Sequence, residues 1–106
     1  MLYQTQVTIA STGTAVPLAT TGTTAKPLHA TWVQIQSFSA NNAAGLTIGG
    51  KPATPSVASG ANPGVVLAPS GIQFLPATGA PGAYHLTEIY VNGTTGDIAN
   101  VLYFKR

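Results

Sequence analysis

The sequence predicts an all-β fold: a single-domain β-sandwich of about eight short strands, with jelly-roll or similar Greek-key connections. Apolar residues do not recur at helical spacing over any useful length, and 12 Gly and 8 Pro interrupt the 106 residues. Between them stand short β-branched and aromatic runs at roughly the 8–12-residue spacing of sandwiches and barrels. A chain of this length is expected to bury one core, so residues 1–106 are predicted to form one domain.

The clearest strand patterns lie in the first half of the chain. In residues 4–10, Val7 and Ile9 alternate with polar residues. In residues 31–38, every second residue from Val33 to Ser37 is assigned to one face of the strand. The alternate residues, from Trp32 to Phe38, are assigned to the other face. Pro17 places its strand at a sheet edge or a strand end. The predicted strands are residues 4–10, 14–18, 31–38, 46–48, 65–67, 72–75, 84–91 and 99–104.

Two loops rich in Gly and Pro separate the later strands. Residues 51–64 are too long for a hairpin turn, and residues 78–83 form a second loop of the same kind. Binding residues concentrate on such loops when a rigid scaffold holds them. The two loops and the sheet edge near Pro17 are therefore the predicted contact surfaces. The predicted interface residues are Lys51, Pro52, Pro55, Pro63, Thr78 and Pro81.

Charge is unusually scarce. Charged residues make up 6% of the chain, against roughly 25% in an average soluble domain. Because charge keeps proteins apart in solution, this composition predicts association with identical or different subunits. The formal charge of +2 forms no basic stripe, which argues against a nucleic-acid partner. No apolar run approaches the ~20 residues of a membrane span, so no membrane partner is predicted either.

The ionisable residues offer few combinations for catalysis or metal binding. Glu88 and Asp97 are the only acidic residues, and Asp97 follows Gly96 in the pattern of a turn residue that bonds its own backbone. No enzyme is therefore predicted. A metal site would need His29, His85 and a carboxylate, but His85 and Glu88 fall on opposite faces of a predicted strand. No metal or cofactor is predicted. One histidine from each of three subunits could still meet at a three-fold axis and bind an ion there.

Three aromatic residues leave another function open. Trp32, Tyr84 and Tyr90 could form a platform on which sugars stack, which would make the chain a carbohydrate-binding module. Packing explains them too, because large aromatic side chains usually serve burial first. Trp32 shares its predicted face with Phe38, and Tyr84 and Tyr90 share theirs with Leu86.

Seven short motifs, taken in order, cover most of the chain. They are VTI at 7–9, TGTAVPL at 12–18, VQIQ at 33–36, LTIGG at 46–50, VVLAPSG at 65–71, LTEIYV at 86–91 and VLYF at 101–104. In this order they resemble the small head decoration (cement) proteins of tailed phages. The long loop at residues 51–64 departs from that pattern.

The resemblance implies a jelly-roll-like β-sandwich on the outer capsid surface of a virion. Such a subunit is often a homotrimer, sits where copies of the major capsid protein meet and carries no catalytic residues. The expected partners are thus the chain itself and the major capsid protein. A structural subunit of a phage tail or fibre fits the same observations and remains an alternative, as does the carbohydrate-binding module.

Overall fold

The computed structural model describes residues 1–20, 28–51, 53–79 and 84–105. In this part of the chain ten strands lie in three antiparallel sheets and no α-helix is present, so the predicted all-β sandwich is confirmed. Accordingly, none of these residues belongs to a helix that could cross a membrane. The strands are β1 (Leu2–Thr8), β2 (Val16–Pro17), β3 (His29–Ala30), β4 (Trp32–Ser37), β5 (Leu46–Gly49), β6 (Val65–Leu67), β7 (Ile72–Leu75), β8 (Tyr84–His85), β9 (Tyr90–Asn92) and β10 (Ile98–Phe104).

The strand order is that of a jelly roll. The first sheet has the order β1-β10-β4-β7 and the second the order β2-β9-β5-β6. β1 pairs with β10, β2 with β9, β4 with β7 and β5 with β6, all antiparallel. The chain therefore folds back on itself as one long ribbon that wraps into two sheets, and the short pair β3–β8 belongs to the same ribbon. Two facing sheets connected in this way are the jelly-roll architecture.

One hydrophobic core lies between the two sheets. The predicted alternation in β4 is confirmed, because Val33 and Ile35 are buried together with Ser37. The second sheet contributes buried residues such as Leu46 and Val91 to the same cluster. Inward-facing residues of each strand thus meet across the sandwich, and the alternate residues of the first sheet are left facing outward.

The chain between residues 84 and 91 differs from the single strand predicted there. A 3-10 turn over Leu86–Glu88 separates β8 from β9. Leu86 is buried in the core, and its backbone N–H donates to the carbonyl oxygen of Leu28 at 2.8 Å. The turn carries the chain from the small sheet to the second sheet, so Tyr84, Leu86 and Tyr90 do not share a strand face as predicted.

The loop after β5 folds back over the outer face of the second sheet. Pro55 is buried there, and its carbonyl oxygen accepts a hydrogen bond from Asn92 Nδ2 at 3.0 Å. The hydroxyl of Thr47, which lies opposite Asn92 in the sheet, donates to the carbonyl oxygen of Ser56 at 2.6 Å. The Ser56 N–H in turn donates to the carbonyl oxygen of Asn62 at 2.8 Å. This segment, residues 53–63, is called the cover loop below.

Candidate functional site

The outer face of the first sheet is the most extended candidate site in the described part of the chain. Residues directly opposed in an antiparallel ladder point to the same side of the sheet. The register therefore places eleven outward side chains in three adjacent rows. The rows are Leu2, Phe104 and Trp32; then Gln4, Leu102, Gln34 and Phe74; then Gln6, Asn100, Gln36 and Ile72. We call this surface the amide–aromatic face.

Aromatic rings occupy one end of the amide–aromatic face. The Trp32 ring lies 5.6 Å from the Phe74 ring, centre to centre, and 6.1 Å from the Phe104 ring, to which it is nearly parallel. Phe74 is 47% exposed, and Leu2 and Ile72 are more than half exposed. Large exposed apolar patches often mark binding surfaces, so these residues make the face a candidate one.

Side-chain amides occupy the centre of the same face. They line an open groove of about 600 Å³ between β1, β10 and β4. Gln6 Nε2 donates to Asn100 Oδ1 at 2.8 Å. Within the described residues, no hydrogen bond engages the side-chain amides of Gln4, Gln34 or Gln36. Each of these three offers a carbonyl acceptor and an amino donor to a ligand or partner.

None of the eleven side chains of the amide–aromatic face carries a charge. The face therefore has no ionic group with which to neutralise a phosphate, a carboxylate or an ammonium. It is suited to a neutral surface, either the apolar and polar side chains of another protein or an uncharged sugar. On the outer side of the second sheet the cover loop buries Thr47 and Asn92, while Val65 and Val66 of the edge strand β6 are exposed.

The predicted interface residues are scattered. Lys51 is exposed, with its Nζ 5.9 Å from the centre of the Tyr90 ring, and Thr78 is exposed on the loop after β7. Pro63 is half-buried. Pro55, within the cover loop, is buried, and its carbonyl oxygen accepts the hydrogen bond from Asn92 that holds the loop on the sheet. Pro52 and Pro81 lie outside the described residues.

The three residues of the predicted sugar platform do not lie together. Trp32 is on the amide–aromatic face, whereas Tyr90 is on the second sheet beneath Lys51. Tyr84 is on β8, opposite the buried Ala30, and its hydroxyl donates to the carbonyl oxygen of Pro76 at 2.7 Å. Of the three, only Trp32 stands beside the amide groove, so any sugar platform would have to use Trp32 with Phe74 and Phe104.

The two carboxylates have separate surroundings. Asp97 is buried, and its carboxylate accepts hydrogen bonds from the backbone N–H groups of Asn42 and Thr94, each at 3.0 Å. The prediction that Asp97 bonds the backbone of its own turn is confirmed by the bond from Thr94. Glu88 is exposed in the 3-10 turn. Among the described residues no three metal-ligating side chains cluster.

Sequence reasoning missed most of the amide–aromatic face. A signal was available in two Gln-x-Gln repeats, Gln4-Thr5-Gln6 and Gln34-Ile35-Gln36, each with an apolar or β-branched residue between the glutamines. Two-residue spacing puts both glutamines of each repeat on one face of a strand. What the repeats could not reveal is that β10 would bring them onto the same sheet, since strand order is a property of the whole chain.

Comparisons of the chain with protein-family models, with curated proteins and with solved structures found no match. In the described part of the chain, fold and site together define a jelly-roll β-sandwich whose first sheet presents an uncharged outer face.

Proposed function

We propose that this chain is a structural subunit of a virus particle, a decoration (cement) protein that stabilises a tailed-phage head by protein–protein contacts. The observation that carries the proposal is the amide–aromatic face, which is apolar at one end, rich in side-chain amides at its centre and uncharged throughout. Jelly rolls recur in viral capsid proteins. The order of the sequence motifs, which resembles that of phage decoration proteins, supports the same class.

The size of the face determines how such a subunit would bind. Four strands about 4.8 Å apart and three rows about 7 Å apart cover roughly 400 Å² of sheet. A stable interface buries about 800 Å² per partner. One face therefore supports only a weak contact, and strong attachment needs further contacts from the loops or several linked copies. In a homo-oligomer the first docked copy raises the effective concentration of the others, which fits a trimer on a symmetric shell.

Co-sedimentation with undecorated capsids tests the proposal. The wild-type chain should bind saturably, and Phe74→Lys and Gln34→Lys should each reduce binding at least tenfold, because a charge is then desolvated in an uncharged contact. Ala43→Lys, in the exposed turn before β5 and away from both loops, is the matched control and should bind as wild type. Equal binding by Phe74→Lys and wild type would show that this face does not dock on the shell.

Light scattering over a concentration series tests whether the chain associates with copies of itself. A mass of three chains is the expected result for a decoration subunit at a three-fold position. A monomer at every concentration would contradict self-association, and docking would then depend on contacts with the shell alone.

A second candidate function rests on the amide groove. Jelly rolls also serve as lectin domains, and the groove volume of about 600 Å³ lies within the range of ligand pockets. A neutral sugar would bind through hydrogen bonds to Gln4, Gln34 and Gln36, which have no side-chain amide partner among the described residues, and through stacking on Trp32. The partner in this case is a glycan on a cell or particle surface.

Glycan-array binding separates the two functions. A carbohydrate-binding module should lose binding on Trp32→Ala or Gln34→Ala and keep it on Tyr90→Ala, an aromatic control on the other sheet. Trp32 is the only tryptophan, so its fluorescence reports directly on the groove. Sugar binding with unchanged Trp32 fluorescence would place the sugar elsewhere.

A further inference from the structure

The only two histidines of the chain face each other across a strand pair. His29 of β3 and His85 of β8 are directly opposed in the antiparallel ladder, and their ring centres lie 4.3 Å apart with the rings tilted by 55°. Both side chains are exposed. They belong to neither the amide–aromatic face nor the cover loop, so the proposed function does not use them.

The separation suits two ligands of one metal ion. Zinc-bound imidazole nitrogens lie about 2.0–2.1 Å from the ion, which puts the centres of two rings on one tetrahedral ion roughly 5 Å apart. The observed ring centres are 4.3 Å apart, and a small rotation of the two exposed side chains would bring them to the separation that the ion requires. Opposed residues in a sheet have their Cβ atoms held about 4.5–5.5 Å apart by the backbone, so much of the site is organised before an ion arrives.

From this geometry we infer that His29 and His85 bind one divalent transition-metal ion. Neutral imidazole favours zinc, nickel and copper over magnesium and calcium, which prefer oxygen ligands. Because no third metal-ligating side chain joins the pair among the described residues, the chain supplies two ligands and water completes the coordination. An ion held between β3 and β8 would tie together two short strands that otherwise share a ladder of two residue pairs.

The expected affinity follows from the ligand count. Two imidazoles are half of the ligand set of a complete structural zinc site, so a dissociation constant on the order of 1–200 µM is expected. Simple packing of two imidazoles, with no ion, is the competing explanation for the same ring geometry. It predicts no dependence on any metal.

Titration of the purified full chain with zinc chloride, followed by calorimetry and by the NMR signals of the imidazole ring protons, tests the inference. One ion per chain should bind, and both histidine signals should shift with the same midpoint. His29→Ala and His85→Ala should each weaken binding at least tenfold, since each removes half of the ligands. Magnesium chloride should give no shift.

Glu88→Gln is the matched control, since it removes the carboxylate nearest in sequence to His85 while leaving both imidazoles. It should bind zinc as the wild type does. Any of four outcomes would overturn the two-histidine site. They are zinc binding that survives His29→Ala, an NMR shift of only one histidine, no binding at millimolar zinc, and one ion shared by two chains with a doubled mass. Because both histidines are exposed, the alanine variants should fold, which a wild-type circular dichroism spectrum would verify.

Discussion

Asp97 connects two loops of the fold through one buried carboxylate. Its oxygens accept the N–H groups of Asn42, at the start of the turn before β5, and Thr94, in the connection before β10. Asn41, beside Asn42, makes a second link, because its side chain accepts from the Ile98 N–H and donates to the Ile98 carbonyl, both at 2.8 Å. These side chains hold the turn before β5 against the connection before β10 by giving partners to backbone groups of both.

Replacing Asp97 by alanine should lower the free energy of unfolding by about 2–3 kcal/mol. The substitution removes two hydrogen bonds to a charged acceptor and leaves two backbone N–H groups unsatisfied. Glu88→Gln changes the other, exposed carboxylate and should stay within about 0.5 kcal/mol of wild type. Urea unfolding of the three proteins compares them, and equal losses for both variants would mean that the Asp97 bonds contribute nothing specific.

Tyr103 makes the stability of the folded chain depend on pH in the alkaline range. Burial raises the pKa of its hydroxyl above the ordinary 10.0, and the neighbouring Tyr3, whose ring stacks on Tyr103 at 5.3 Å, raises it further. A raised pKa in the folded state means that stability is fully present below about pH 10 and is lost as the pH rises through the folded value.

The chain should therefore become easier to unfold above about pH 10, and Tyr103→Phe should reduce that alkaline loss. Thermal unfolding between pH 8 and pH 11 measures the slope for each protein. Tyr90→Phe, on the other sheet, is the control and should retain the wild-type slope. An unchanged slope in Tyr103→Phe would assign the alkaline sensitivity to other groups.

Among the structural elements, the cover loop determines which sheet is available for binding. It buries polar groups of β5 and β9 by giving each a partner, as in the bonds from Thr47 to Ser56 and from Asn92 to Pro55. Gly64 ends the connection to β6 with a φ of +68°, and a Cβ atom there would collide with the Ile48 carbonyl oxygen. Only glycine therefore lets the chain return to the sheet edge along this path.

Asn92→Ala should release the cover loop. The Pro55 carbonyl would lose its donor in a buried position, at a cost of about 1–3 kcal/mol in the free energy of unfolding. Amide exchange of Ser56, whose N–H is bonded within the loop, should accelerate more than exchange in β4. Asn62→Ala keeps the backbone carbonyl that Ser56 uses and serves as the control. A uniform acceleration across both sheets would indicate global destabilisation instead of loop release.

Strand positions were predictable from the sequence where one face is buried, and strand partners were not. The alternation in residues 31–38 predicted the strand and its two faces, because burial of every second residue leaves a period of two, but it did not say which face is buried. Residues 84–91 looked like one strand, yet the need to bury Leu86 while changing sheets produces a 3-10 turn. The proximity of His29 and His85, far apart in sequence, depends on a pairing that only the folded ribbon sets.

For the whole molecule, scarcity of charge and the jelly-roll order act together. The roll buries one side of the first sheet in the core and turns the other side, the amide–aromatic face, outward. With only six charged residues in the chain, little electrostatic repulsion opposes the approach of another subunit to that surface. The same feature that would favour assembly on a crowded shell would make the free chain prone to associate in solution.

The salt dependence of that association distinguishes an uncharged contact from an ionic one. If the amide–aromatic face carries binding, the association constant should change less than about twofold between 0.05 and 0.5 M sodium chloride, because screening acts only on charges. Sodium sulfate should strengthen binding, since it favours burial of apolar surface. Phe74→Lys should be weak at every salt concentration. A tenfold loss of wild-type binding in sodium chloride would instead assign the contact to cationic residues such as Lys51 and Lys105, which lie off this face.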